Sequence, residues 1–425
     1  IYNTTIREHN KPQLYAINNA HFQLNKCYIL AGKENGILLE KASSATIKSS
    51  YIADHETFPQ LYVDHSNLDM TTTEVNKSNS IGLYVINGGK AHITDSQINE
   101  NNGVAQLELV SNSHATLERS TFSNGAHHGV RTEASVVNIH HCTFTNNSYS
   151  TTQTSAQIIG ENEATVHVHY STIENSPQVG IRLDYYTNGV IENCTLSHNE
   201  KAQIEVKNSS HSTLNKNTIK NGKYGIYLFN AETDIHDSVV KSHQADQIKL
   251  RFAKLHMKQS KIFAGQTTGI NIRDASQALV EQSHIYDHAT QPKITIEKST
   301  LHIQERHVHH GINVGIFLMN KATAKVSKST IHHHEQAQIK AEEKSFLTLK
   351  DSYLYDGASY GCVITNAEAT IYNSQLATHE AAQLIFEGKS YGTLHNSNIH
   401  KGHMNGLLMR NEANVQAENC DFYNH

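Results

Sequence analysis

Apolar and polar residues alternate in short runs along the whole chain, and the runs recur at a fixed interval. Gly36 to Glu40 reads GILLE, Gly180 to Asp184 GIRLD, Gln203 to Lys207 QIEVK, Gly225 to Phe229 GIYLF and Gln247 to Arg251 QIKLR. A period of two is that of a strand with one face buried. The run starts form one series: Gln13, Gly36, Gln60, Gly82, Gln106, Gly129, Gln157, Gly180, Gln203, Gly225, Gln247, Gly269, Lys293, Gly315, Gln338, Gly361, Gln383 and Gly406. The step is about 23 residues and the two kinds alternate, with Lys293 the one departure, so the unit is a pair of turns of about 46 residues, present nine times.

A second signal falls farther along each turn: a small or polar residue, any residue, then an apolar one. It reads CYI at Cys27, SYI at Ser50, STF at Ser120, CTF at Cys142, STI at Ser171, RHV at Arg306 and CDF at Cys420. A third short run precedes it, as in Ala45-x-Ile47, Ala115-x-Leu117 and Ala324-x-Val326. Three strands in 23 residues leave no room for helices. The pattern predicts an all-β parallel β-helix of about 18 turns, a single domain over 1–425. Each strand pairs with its copy one turn on, at a spacing of about 4.8 Å, which over seventeen steps gives a rod of roughly 80 Å. Asn124, Asn146, Asn175 and Asn221 fall at equivalent corners, where Asn tolerates left-handed backbone.

Composition narrows the function. The chain has 425 residues, 37% hydrophobic and 18% charged, with 35 basic against 40 acidic side chains, which is not the excess of positive charge that nucleic acid requires. No apolar run approaches the roughly 18 residues of a bilayer span, so membrane insertion is not expected. Four prolines and 23 glycines mark no linker. On the GI-x-L runs and the small-x-apolar signal, the repeats resemble the pectate-lyase-like right-handed β-helix superfamily, in particular its carbohydrate-binding and sugar-hydrolase, or NosD-like, repeats. The paired GI-x-L and PQ-L turns are also similar to β-helices attached to ATPases resembling stage V sporulation protein K. The resemblance implies a right-handed coil, and a module of a larger bacterial protein, cytoplasmic or secreted. It does not bring the catalytic motifs with it: the chain has no Trp, and the Asn-Thr-Asp, Gly-His-Gly and Asp-Pro-His segments of the family's enzymes are missing. His127-His128-Gly129 is only an echo. Nothing in the sequence requires a cofactor.

Of the five cysteines, Cys27, Cys142, Cys194 and Cys420 stand where Ser stands in other turns and Cys362 follows Gly361, so they read as small core residues. The 31 histidines read first as solvated or stacked corner residues, among them His55, His198, His243, His288 and His379. Protonating all of them would carry the formal charge from -5 to +26, so the fold should weaken as the pH falls through about 6.5. Candidate metal ligands are His307, His309 and His310 against His332, His333 and His334 one turn on, with a lesser pair at His140 and His169.

The residues two and four after each Gly or Gln should point outward. On the middle turns these include Glu108, Arg131, Glu133, Glu161, Arg182, Asp184, Glu205 and Lys207. Arg131, Glu133, Glu161, Arg182 and Asp184 are the candidates for catalysis, because an Arg beside a carboxylate base suits a polysaccharide lyase or hydrolase acting on an acidic glycan. The plainer account is cross-strand ion pairing. The step from Cys142 to Ser171 is 29 residues, so about six extra residues around Tyr149 to Ser155 should protrude beside this stretch, with Tyr185 and Tyr186 at its edge. The same row places Tyr84 with Ile86, Tyr227 with Phe229, and Phe317 with Met319. Large apolar residues turned away from the core predict a noncatalytic scaffold that meets a protein partner, a second copy of itself or a polysaccharide along this face.

Overall fold

The computed structural model describes residues 1–149, 155–305 and 307–425; Ser150 to Thr154, within the extra stretch, and Arg306 lie outside the described residues. The chain is an all-β parallel solenoid of about 18 turns, with no helix among the described residues. It divides into two compact units, Ile1–Thr218 and Ile219–His425. In each unit the strands form three parallel sheets. The first sheet takes the run after Gln or Gly, from Leu14–Ala16 to Ala202–Lys207 in the first unit and from Tyr224–Phe229 to Leu407–Arg410 in the second. The second sheet takes the Ala-x-Ile runs and the third the small-x-apolar signal.

Register is set by which face is buried. In the first sheet Leu107, Val130, Ile158, Ile181 and Ile204 stack in consecutive turns, all fully buried. Phe122 lies on Phe144 in the third sheet with ring centroids 5.0 Å apart. The small polar residue that opens the third sheet closes a hydrogen-bond ladder: its side-chain oxygen accepts the backbone N–H of its counterpart one turn earlier. Cys27 N donates to Ser50 Oγ, Thr73 N to Ser96 Oγ and Cys142 N to Ser171 Oγ, at 3.0 to 3.1 Å. Ser dominates there, and Thr73 and Asn217 take the same place in two turns, accepting from Ser50 N and Cys194 N. Cys27, Cys142, Cys194 and Cys362 are buried and unbridged; burial pushes the thiols of Cys142 and Cys194 up to about 11.

The two-turn period has its own cause. The Gln that opens one kind of turn points into a corner and bonds a buried His or Asn at the end of the turn just before it, as His55 Nδ1 with Gln60 Oε1 at 2.8 Å, or Asn199 Nδ2 donating to Gln203 Oε1 at 2.6 Å. That ring or amide fills the space beside the start of the preceding turn, which must therefore be Gly: a Cβ on Gly36 would lie 2.8 Å from the His55 ring, and one on Gly180 2.8 Å from Asn199 Nδ2. This corrects the expectation of solvated corner imidazoles. His55, His243, His288, His334 and His379 are buried. In the turn of His198 the buried corner is Asn199, and His198 itself is exposed.

Lys293 occupies the Gln position and is 1% exposed, its Nζ donating to the His288 carbonyl at 2.8 Å. Burial pushes its amine down to about 8. Both states are protonated below pH 8, so there the whole penalty is present, about 3 kcal/mol. Lys293→Gln should raise stability by about that much at pH 7, and the gain should shrink as the pH rises from 8 toward 10.5 while the unfolded lysine alone holds its proton. Denaturant unfolding of both proteins at pH 7 and 9.5 checks this; a variant no more stable at pH 7 contradicts it.

Candidate functional site

The outer face of the first sheet in the first unit carries one charged constellation. Glu108, Arg131, Ile159, Arg182 and Glu205 stand at the same register in consecutive strands. Arg131 reaches three carboxylates: Nη1 donates to Glu108 at 2.5 Å, Nη2 to Glu133 at 2.6 Å and Nε to Glu161 at 3.1 Å. Arg182 Nε donates to Glu205 at 2.8 Å, and Lys207 Nζ lies 3.2 Å from the same oxygen. Between the two clusters Ile159 packs with Ala156 and Val179, all three buried although they face away from the core. Each long side chain lies on the sheet because the strand below or above supplies an opposite charge one rung away.

Burial raises the Glu108 carboxyl, against the pull of Arg131. Burial also raises Glu133, but the bonds from Asn162 and Arg131 outweigh it and hold that carboxyl low. His128 sits under the cluster, 8% exposed, its Nδ1 accepting the Ala156 N–H at 3.2 Å. Burial, with Arg131 and Arg182 nearby, pushes it down to about 3. No sequence signal points to this role for His128, because a histidine in a His-His-Gly run carries no mark of which way it points.

Asp184 Oδ1 accepts the Tyr185 N–H at 3.0 Å and Asn208 Nδ2 at 2.7 Å, which makes it a turn cap. Tyr185 and Tyr186 are 50% and 62% exposed on that turn, both with left-handed backbone. The extra stretch departs from Ser148, which is buried and donates from Oγ to the His127 carbonyl, and returns at buried Ser155. Tyr149 is exposed, and its hydroxyl donates to Asn102 Oδ1 at 2.7 Å.

The outward apolar residues are half-buried, whereas the strand period alone leads to bare ones. Tyr84 lies on Tyr62 with centroids 5.4 Å apart, and Ile86 pairs with Asp64. In the second unit Lys249 Nζ lies 5.9 Å from the Tyr227 ring, the Arg251 guanidinium 6.0 Å from Phe229 and Lys340 Nζ 5.4 Å from Phe317; Met319 pairs with Glu297. A cation over each of the three rings shields it and stays in water itself.

The six candidate metal ligands separate. His334 turns inward and bonds Gln338 at 2.5 Å, and His307 stacks on His284. His309, His310, His332 and His333 remain together on the third sheet. Burial, then the neighbouring imidazoles, pushes His309 and His332 down to about 4. His140 stacks on His169 at 5.1 Å in the first unit. Among the described residues no three His, Cys, Asp or Glu side chains converge on one ion position.

The model of the right-handed beta helix region matches residues 1–163, 111–254 and 248–385. Comparison with curated proteins finds no match. Among solved structures, the chain is similar to Vag8 in its complex with C1 inhibitor, at 10% identity over 98% of this chain and 99% of that one, TM-score 0.44. It is similar to pectate lyase Pel9A at 12% identity over 57% and 70%, TM-score 0.35. It is similar to PfbA, a surface adhesin of Streptococcus pneumoniae, at 11% identity over 86% and 84%, TM-score 0.30. Matched by its model over most of its length and built throughout from parallel three-strand turns, the chain belongs to the right-handed β-helix family.

Proposed function

We propose that the chain is a noncatalytic recognition module that binds a protein partner along the outer face of the first sheet. The observation that carries this reading is the recurrence of ring and cation on that face in the second unit: Tyr227 with Lys249, Phe229 with Arg251, Phe317 with Lys340. Such pairs offer both apolar area and positive charge to a partner rich in acidic and apolar side chains. In the first unit the roles of Arg131 and Asp184 are structural, an ion-pair hub and a turn cap, which is a poor starting point for chemistry that needs a base and an available cation.

The test immobilises the wild type and a Tyr227→Ser plus Phe229→Ser variant and compares what each captures from its source cells and whether each self-associates in sedimentation. The variant should stay folded and lose at least tenfold in capture or self-association; equal behaviour of the two proteins ends the reading. A second reading, a lyase or hydrolase acting on an acidic polysaccharide, is favoured by the raised carboxyl of Glu108 beside Arg131. Release of unsaturated products or reducing ends, abolished by Glu108→Gln or Arg182→Ala with the fold retained, would replace the first reading with it.

A further inference from the structure

The third sheet of the second unit holds two stacked pairs of imidazoles. His309 and His310 are neighbours in the strand His307–Gly311, and their Nδ1 atoms converge to 2.6 Å. His332 and His333 repeat the arrangement in Thr330–His334, again with Nδ1 atoms 2.6 Å apart. The pairs lie one rung apart, His309 over His332 at 5.1 Å and His310 over His333 at 4.9 Å, the rings within 7° and 11° of parallel. Tyr286 closes the first column below at 5.0 Å and Tyr355 above at 4.7 Å. At the corner, Asp287, His310, His333 and Asp356 all adopt left-handed backbone, so a carboxylate stands one rung beyond each end of the histidine column. These four residues line an open cleft of 490 Å³.

We infer that this ladder binds two first-row transition-metal ions, one at each histidine pair, with Asp287 and Asp356 balancing their charge from the two ends. Two neutral imidazoles whose Nδ1 atoms meet share a single proton between them. An ion takes the place of that proton, and the imidazole that carried it holds its hydrogen on Nε2 instead. Metal–nitrogen bonds of about 2.0 to 2.1 Å at 90 to 110° need nitrogens about 2.9 to 3.4 Å apart, so each pair opens by a few tenths of an ångström. A rung of about 5 Å is longer than two such bonds laid end to end, so one ion cannot bridge the pairs. Each ion therefore has two protein nitrogens and completes its shell with water, which the carboxylates can orient from the cleft. Imidazole ligands select copper, nickel and zinc over calcium and magnesium, and copper binds tightest. Like charges about 5 Å apart make the second ion bind more weakly than the first.

Cu²⁺ titration of the full chain, with the bound metal counted by equilibrium dialysis and read by electron paramagnetic resonance, tests this. The wild type should take up two ions per chain that a variant with His309, His310, His332 and His333 all changed to Gln binds at least tenfold more weakly. At full loading, two Cu²⁺ ions about 5 Å apart should give a dipolar-broadened spectrum with a half-field transition. The variant His332→Gln plus His333→Gln should hold one ion with a simple uncoupled spectrum. Equal uptake and affinity in the wild type and the fourfold variant would overturn the inference, since the other histidines would then account for the metal. A single ion per wild-type chain, or two without the half-field signal, would overturn it as well. Circular dichroism of each variant establishes that it remains folded, which the exposed or half-buried position of all four rings favours.

Discussion

Acidification from pH 7.5 to 5 should strip stability from both units, through imidazoles that the folded chain keeps neutral. His128 in the first unit and His288 in the second are pushed down to about 3, and His243 and His379 to about 4, in each case mainly by burial. Their surroundings give little to offset it. His128 faces Arg131 and Arg182, and His288 faces Lys293. His243 accepts from the Gly222 N–H and has the Ile219 carbonyl at its other nitrogen, while His379 bonds Gln383 with Asp356 nearby.

The folded values lie below the unfolded value of about 6.5. The contribution of each neutral ring is therefore complete above pH 6.5 and is lost as the pH falls, because the unfolded chain takes up protons that the folded chain refuses. At pH 5 each ring costs about 2 kcal/mol, and the four together on the order of 8, against total domain stabilities of about 5 to 15 kcal/mol. Calorimetric unfolding across this range should show a steep fall. Changing His243 and His379 to Asn, which fills the same corner at Asn101 and Asn199, should return about 4 kcal/mol of the loss at pH 5. An unfolding temperature that is flat from pH 7.5 to 5, or a variant as acid-sensitive as the wild type, contradicts the burial argument. Repulsion among solvated corner imidazoles would give the same sign, but it would not be relieved by replacing two buried ones.

The second large effect is expected at the Gly36 corner. Gly36→Ala sets a methyl 2.8 Å from the His55 ring and 3.1 Å from the Gln60 carbonyl oxygen, an overlap that should cost about 3 kcal/mol. His55→Ala empties that space and takes the bond from Gln60, also at about 3 kcal/mol. Because the two changes act on one volume, the double variant should be more stable than the sum of the singles by about 1 to 2 kcal/mol. Urea unfolding of the four proteins measures this coupling. Strict additivity would mean that the Gly and His turns are not linked through this corner.

Much of the architecture is legible in the sequence because stacking makes each turn repeat the demands of the last. The alternating runs from Leu107 to Ile204 identify the first sheet, and the Ser and Cys positions identify the third, though not the hydrogen-bond ladder their side chains close. Even the exception at Lys293 stands out against the Gln and Gly series by its residue type alone. The candidate site is legible only in part. The outward row containing Arg131, Glu161 and Arg182 follows from the strand period, whereas the partners of those side chains do not.

The features that follow from the chain alone are therefore periodic: three strands per turn, the inward and outward faces, and a unit of two turns. They rest on backbone pairing and burial, which act alike in every turn and so leave a repeated mark. Whatever depends on the direction of a single side chain is settled only when the turns pack. Arg131 gathers three carboxylates while Asp184 turns away to cap a corner, and His334 enters the core while His333 beside it faces the cleft. The reason is that partners such as Glu108 for Arg131 and Asn208 for Asp184 lie on a neighbouring turn, 23 and 24 residues away along the chain, and a histidine looks the same in the sequence whichever neighbour it meets.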